Sequence, residues 1–399
     1  MRGPGVVAAM CLGEVASLLP LATFPALVPQ FRQAWDLSNT EAGWISGVYY
    51  LGYMLLVPVL VSLTDRIDAR RIYLISAGAT VLATFGFAVS ADGFWSAFVW
   101  RALAGAGLAG TYMPGLKALT DRATLANASR GIALYTSSYS VGAGLSFLLA
   151  GLANDHYGWR GAFYASSVGP LVALLVALAV LRPVAPAAGG DSRLLDFRPV
   201  LRNRAALGFI LAYGSHGYEL MAMRAWIVAF VDFLLGRAGG AAGIWSSTLV
   251  ATVVTLLGLP ASLIGNEFAI RFGRRRLVIV VMLASAAMAA GIGIGAGLPL
   301  VVVIGLILAY AVTVSADSGA ITAGAVAAAA PESRGATMAV HSTVGFGASF
   351  LGPLLVGIAL DQFGGSGSLG GWAAAFVTMG LGAALGPLAL LAFRPKRGG

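Results

Sequence analysis

Charge is scarce in this 399-residue chain: Asp, Glu, Lys and Arg together make up 10% of it. Soluble domains carry ~25% charged residues, so a water-soluble globular enzyme is excluded first. Cysteine is almost missing, and Cys11 alone rules out a disulfide framework. With three histidines and one cysteine there is no ligand spacing for a zinc or iron–sulfur centre, and no metal or other cofactor is expected. Lysine is confined to Lys117 and Lys396. What fills the chain instead is apolar: 58% of residues are hydrophobic before its 54 glycines are counted. Mean hydropathy is +0.86.

That apolar content is arranged in long runs. About 20 apolar residues are needed to cross the hydrocarbon of a bilayer. Twelve runs qualify, at 6–28, 42–63, 72–90, 94–117, 131–153, 161–181, 206–232, 243–265, 277–296, 299–325, 336–360 and 372–393. Between the sixth and seventh lies the longest polar stretch, 182–205, holding Pro183, Pro186, Gly189, Gly190 and five arginines. It reads as a linker between an N-terminal bundle, 1–181, and a C-terminal bundle, 206–399. Basic residues then set the orientation. With the N-terminus inside, 20 of the 25 basic residues fall on inner segments and only Arg32, Arg160 and Arg237 on outer loops. Both termini are expected in the cytoplasm, and the net charge of +9 is a topology signal rather than a nucleic-acid footprint.

The halves repeat each other. Asp65-Arg66-Ile67-Asp68-Ala69-Arg70-Arg71 returns 205 residues later as Ile270-Arg271-Phe272-Gly273-Arg274-Arg275-Arg276. Ser129-Arg130-Gly131 returns as Ser333-Arg334-Gly335, and Asp155-His156-Tyr157-Gly158 as Asp361-Gln362-Phe363-Gly364. A parallel repeat of six spans implies a pseudo-two-fold axis along the membrane normal and a site between the repeats.

With these features the chain resembles the major facilitator superfamily over its whole length. The loop Leu63-x-Asp65-Arg66-x-x-x-Arg70-Arg71 is similar to the family's signature, with Val61 and Asp68 where the family has glycine. Arg101-x-x-x-Gly105-x-Gly107 resembles its second motif, often linked to proton coupling. The antiporter signature is absent from the fifth span, where Gly142, Gly144 and Gly151 occur without proline; Gly352-Pro353 sits in the eleventh instead. The resemblance implies an all-α membrane fold of twelve transmembrane helices in two pseudo-symmetric six-helix bundles. It makes the first, fourth, seventh and tenth spans the cavity lining. It also implies a gating role for Asp65, Arg66 and Arg70, with Asp65 bracing the other half near Thr337. For Arg274, Arg275 and Arg276 the plainer reading is a solvated face, because Ile270 replaces the acid.

Ionisable side chains in lipid face a cavity or a partner. Five fall inside spans, Glu14, Arg101, Glu219, Arg224 and Asp317, and all lie on those four helices. Glu14 and Glu219 are 205 residues apart and so pseudo-equivalent. A carboxyl removed from water can bind a proton rather than bury a charge, so Glu14, Glu219 and Asp317 are the proton-coupling candidates. Arg101 and Arg224 offer forked donors for an anion. His216 and Met223 share a helical stripe with Glu219, and Tyr112 shares one with Arg101; these complete the substrate-binding candidates. A plainer reading has the charges pairing to hold one conformation. Met221, Met223, Met338, His216 and His341 raise soft-metal binding, but no compact Met/His pair recurs, and packing is the expected role. On span five Tyr135, Ser138, Tyr139 and Gly142 form a polar stripe, for cavity lining or helix contact. Pro20, Pro25 and Pro29 are expected to interrupt span one, Pro260 span eight, and Pro114 to bend span four.

The reading is therefore a monomeric, proton-coupled secondary transporter of a small organic anion in a bacterial cytoplasmic membrane, with no catalytic activity and no nucleic-acid partner. The rival within the class is a proton-exchanging exporter of amphipathic cations. The rival outside it is a solute sensor that moves nothing.

Overall fold

The computed structural model describes residues 4–122, 128–185, 197–239, 246–330 and 333–394. All regular structure among the described residues is helical. The helices are α1 (Pro4–Ser17), α2 (Val28–Trp35), α3 (Asn39–Leu63), α4 (Ala69–Ser90), α5 (Phe94–Thr111), α6 (Met113–Thr120) and α7 (Ala128–Val180). There follow α8 (Arg198–Arg202), α9 (Arg204–Arg237), α10 (Ser247–Phe272), α11 (Arg274–Ile294), α12 (Leu300–Ala316), α13 (Ser318–Ala328), α14 (Arg334–Gln362) and α15 (Leu369–Ala392). Of the linker 182–205, residues 186–196 lie outside the described residues.

Eight helical stretches among the described residues are long and apolar enough to cross a membrane. One of them is α7, which carries the fifth and sixth spans and kinks at Gly158, φ +69°. Only glycine takes that conformation without strain. The crossings missing from the eight are the first, fourth and seventh, and each carries a break or charged side chains. Span one unwinds over 18–24 between α1 and a short 3₁₀ turn at Pro25–Leu27. Span four breaks at Tyr112, between α5 and α6. Span seven is the continuous α9, holding His216, Glu219 and Arg224. The fold is thus the twelve-helix membrane architecture. Its outer surface agrees: Ile75, Leu82, Trp95, Val301 and Leu381 are all largely exposed, as lipid-facing residues must be.

Span ten breaks too, at Asp317, between α12 and α13. Tyr112 and Asp317 stand 205 residues apart, so the repeat extends to the position of the break. Proline explains only part of this. Pro114 opens α6, but α10 runs unbroken through Pro260. The interruption expected in span eight is instead in the neighbouring span ten, stabilised from span eight. Ser262 Oγ accepts from the freed Gly319 N–H at 3.1 Å. Gly265 presses its backbone on the Ala316 carbonyl so closely that a Cβ would lie 1.8 Å from that oxygen. Gly105 of α5 meets the Tyr49 carbonyl of α3 in the same way, again at 1.8 Å.

Gly105→Ala is therefore expected to lower the thermal melting temperature of purified protein, since overpacking against backbone costs at least ~1–3 kcal/mol. Gly78→Ala, whose Cβ would meet nothing within 4 Å, should leave it unchanged or raise it. Equal melting of the two variants would remove the close approach as a determinant of stability.

By contacts the chain divides into two compact units, Met1–Leu27 with Val48–Leu195, and Val28–Gly47 with Asp196–Gly399. In the first, Val6, Met10, Tyr73, Leu119 and Tyr135 form a buried core between α1, α4, α6 and α7. In the second, Met282, Ile321 and Leu390 form the equivalent core among α11, α13 and α15. The second unit includes the start of α3. Asp361 explains this attachment by accepting from the backbone N–H and side chains of both Asn39 and Thr40, at 2.6–3.0 Å. A carboxylate on a helix N-terminus satisfies donors that the helix itself leaves free.

Candidate functional site

In the first unit the polar side chains gather around the unwound part of span one. Irregular backbone at membrane depth survives only where protein supplies its hydrogen bonds. Here α5 and the fifth span do so directly, and the sixth span reaches a side chain of the same segment. Arg101 of α5, 2% exposed, donates from Nη1 to Pro20 O and from Nη2 to Leu21 O, both at 3.1 Å. Its guanidinium also lies 4.4 Å from the Tyr49 ring centroid. Ser146 donates to Leu19 O at 2.6 Å and accepts from Ala22 N–H at 2.9 Å. Ser166 meets Thr23 Oγ1 at 2.8 Å. Ser146 and Ser166 flank Gly158 in α7, so the fifth and sixth spans both reach the same segment.

Glu14 is fully buried one turn before the unwinding. Its Oε2 lies 2.9 Å from Tyr135 Oη, which is also 3.0 Å from Thr111 O and 3.0 Å from Tyr112 O. One hydroxyl proton thus faces three acceptor oxygens. Glu14 Oε1 has no hydrogen-bond partner among the described residues. Tyr112 is the residue at the span-four break; it is half-buried and stacks on Tyr135, ring centroids 6.2 Å apart.

The second unit places an acid at the equivalent position. Glu219 Oε1 accepts from Ser285 Oγ of α11 at 2.8 Å and from Tyr310 Oη of α12 at 2.9 Å. One turn earlier, His216 Nδ1 lies 2.8 Å from Asp317 Oδ1, a close contact without the directional geometry of a hydrogen bond. His216 and Glu219 share a stripe of α9 but meet different partners, Asp317 and Tyr213 for the first and Ser285 and Tyr310 for the second. Tyr213 stacks on His341 of α14 at 3.8 Å and approaches His216 at 5.9 Å. His341 Nε2 meets Thr322 Oγ1 at 3.4 Å, and its Nδ1 has no partner among the described residues. Met223 is buried beside these groups in sequence.

Arg224 differs from Arg101 in how much is left over: both terminal nitrogens of Arg101 are bonded, and its Nε lacks a hydrogen-bond partner among the described residues. Arg224 is 6% exposed, and its Nε and Nη1 are buried with no hydrogen-bond partner among the described residues. None of the three ion pairs found among them includes Glu14, Glu219, Arg101 or Arg224. No group of three or more His, Cys, Asp or Glu side chains placed to hold a metal ion forms among them either.

At the loop between spans two and three, Asp65 and Arg66 are exposed, while the residue engaged within the unit is Asp68. Asp68 caps α4 through Arg70 N–H, pairs with Arg122 Nη2 at 2.8 Å and accepts from Val184 N–H at 2.9 Å. Burial works against its charge, but the hydrogen bonds from Arg122, Val184 and Arg70 outweigh it and hold the carboxyl below its usual range. Arg122 also donates to the Arg182 carbonyl, so this cluster ties the start of the linker to the first unit. Arg70 contributes its backbone N–H there, and its Nε is buried without a partner among the described residues.

Tyr135 had stood out only as part of a polar stripe, and His341 only as a metal candidate. Tyr310, Ser285, Ser146 and Ser166 carried no signal at all, because single hydroxyls in apolar helices are common and their partners are remote in sequence.

Residues 10–246 match the family model of the Major Facilitator Superfamily. The chain is 25% identical over 246 residues to Protein spinster homolog 1 of Homo sapiens, covering 58% of this chain and 46% of that protein. It is 26% identical over 151 residues to the Probable sphingolipid transporter spinster homolog 1 of Arabidopsis thaliana, covering 37% and 30%. The matches thus span less than half the length of these curated relatives. Among solved structures, a bacterial homolog of the human lysosomal transporter Spinster, inward-facing and unoccupied, is similar with a TM-score of 0.75 at 16% identity, covering 97% of this chain and 94% of that one. The nucleoside transporter NupG is similar with a TM-score of 0.77 at 14% identity, covering 97% and 98%.

Proposed function

From the premise that this chain belongs to the Major Facilitator Superfamily, we propose that it is a proton-coupled secondary transporter of a small organic anion. The bundles 1–181 and 206–399 alternate access to a central site, with 182–205 as the cytoplasmic linker, in a bacterial cytoplasmic membrane. The observation that carries the anion is Arg224. A buried cation with two unpartnered guanidinium nitrogens is costly unless a ligand supplies the missing acceptors. A carboxylate or comparable oxyanion matches that fork.

The proton enters through the buried acids. Glu14 and Glu219 are each held by a tyrosine hydroxyl, and neither has an ion-pair partner among the described residues. Around Tyr135 the donor count favours one more proton, because three acceptors share one hydroxyl hydrogen. Protonated Glu14 would donate to Tyr135 Oη and release that hydrogen to a carbonyl of the span-four break. Proton loss would reverse the donors and strain the break, which couples charge to helix geometry. His216 with Asp317 provides the same kind of couple at the span-ten break. Asp65, Arg66 and Arg70 are assigned to gating at the loop end, with Asp68 anchoring that loop to the linker.

Sphingolipid and nucleoside, the substrates for which two of the similar proteins are named, are the competing solute classes. Of the three, the organic anion depends most directly on Arg224. A thermal-shift panel of carboxylates, nucleosides and sphingoid bases on purified protein separates them, since a ligand stabilises the state it binds. The expected result is stabilisation by at least one carboxylate, lost in Arg224→Met. Stabilisation by a nucleoside or a cationic lipid base that survives in Arg224→Met would overturn the anion assignment.

A further inference from the structure

The repeated loop of the second half, which as sequence looked like a solvated basic face, forms a pocket. Arg274, Arg275, Arg276 and Arg394 line a cavity of about 630 Å³ between the start of α11 and the end of α15. None of the ion pairs among the described residues involves any of the four. Arg274 Nε and Arg275 Nε and Nη2 are buried, yet have no hydrogen-bond partner among the described residues. Four cations facing one cavity repel one another, and buried donors without acceptors add to the cost.

The backbone adds to the same field. Gly273, at φ +90°, is the N-cap of α11 and offers no side chain to its first turn. The N–H groups there are accordingly free of a side-chain cap, and the positive end of a 21-residue helix faces the arginines' own loop. Forked guanidiniums and free helix N–H groups together are donors suited to phosphate oxygens. The other wall is apolar: Val280 and Leu391 line the cavity and are 57% and 44% exposed. A freely soluble anion has no use for that wall, whereas an acyl chain does.

We propose that this pocket binds the phosphate of an anionic phospholipid headgroup, with the acyl chains descending over Val280 and Leu391. Basic pockets at helix ends are a physical match for such headgroups. The site is independent of the transported substrate, so it stands or falls apart from the anion reading above.

The test is the melting temperature of the purified full-length chain in micelles doped with dioleoyl phosphatidylglycerol, dioleoyl phosphatidylcholine or inorganic phosphate. Phosphatidylglycerol should stabilise it and the other two should not. The double variant Arg275→Gln/Arg394→Gln should melt at or above the parent in phosphatidylcholine and lose the phosphatidylglycerol increment. Its affinity for that lipid should fall by about tenfold for each guanidinium lost, about 1.4 kcal/mol per charge-assisted contact. Arg271→Gln, in the same loop but outside the pocket, should keep the increment. If the double variant does not fold, Arg275→Lys gives the same reading, because it keeps charge but loses the fork. Equal stabilisation by inorganic phosphate, or an equal loss in Arg271→Gln, would overturn the lipid site, as would an increment that the pocket variants retain.

Discussion

Glu219→Gln is expected to abolish accumulation driven by a pH gradient while leaving solute exchange across the membrane intact. A glutamine carbonyl can accept from Ser285 Oγ and Tyr310 Oη as the carboxyl oxygen does, at 2.8 and 2.9 Å, so packing between α9, α11 and α12 is retained. Only the ability to bind and release a proton is removed. Each coupled proton contributes about 1.4 kcal/mol per pH unit of gradient, equivalent to about tenfold accumulation. Proteoliposomes with an imposed one-unit gradient should therefore accumulate the solute found in the thermal-shift panel when they hold the parent protein. With Glu219→Gln they should only equilibrate it. Counterflow, which needs no net proton movement, should persist. Unchanged gradient dependence in Glu219→Gln would remove this acid from the coupling. If Glu14→Gln and Asp317→Asn also kept it, proton coupling itself would fall.

The membrane architecture was legible because hydrocarbon imposes a length and a polarity on every crossing, and the 205-residue repeat survives in charged loops. The buried acids were legible for the same reason: Glu14 and Glu219 stand out in apolar runs. The helix breaks were less so. Pro114 marks the bend of span four, two residues after Tyr112, but nothing in the residue type at Asp317 marks an interruption, and the conspicuous Pro260 sits in an unbroken helix. The break in span ten depends on Ser262 and Gly265, more than 50 residues upstream, which supply the donor's partner and the space. At the loop between spans two and three, Asp65 is the acid that keeps the family pattern. Asp68, the departure from that pattern, is the acid that holds Arg122 and the linker within the first unit. A substituted glycine can acquire a partner that a pattern built on glycine cannot show. Arg101 and Arg224 looked alike as sequence for a related reason. Backbone carbonyls take both terminal nitrogens of Arg101, and carbonyls exposed by an unwound helix leave no mark in residue identity.

That difference sets up opposite outcomes for the two arginines. Arg101→Met should lower thermal stability by ~2–6 kcal/mol, because it strands the Pro20 and Leu21 carbonyls at ~1–3 kcal/mol each where no water replaces the donor. Arg101→Lys should recover part of this, since a single ammonium keeps the charge but not two forked bonds. Ligand affinity in whatever Arg101 variant survives purification should be close to that of the parent. Arg224→Met should do the reverse. Removing a buried cation with unpartnered Nε and Nη1 leaves stability unchanged or raised, because an unpaired buried charge opposes folding. Anion binding should be lost. Melting curves with and without the carboxylate ligand, taken on all three variants, read both quantities at once. Arg101→Met melting like the parent while failing to bind would place Arg101 on the substrate. Arg224→Met melting far below the parent would show its guanidinium to be a structural brace.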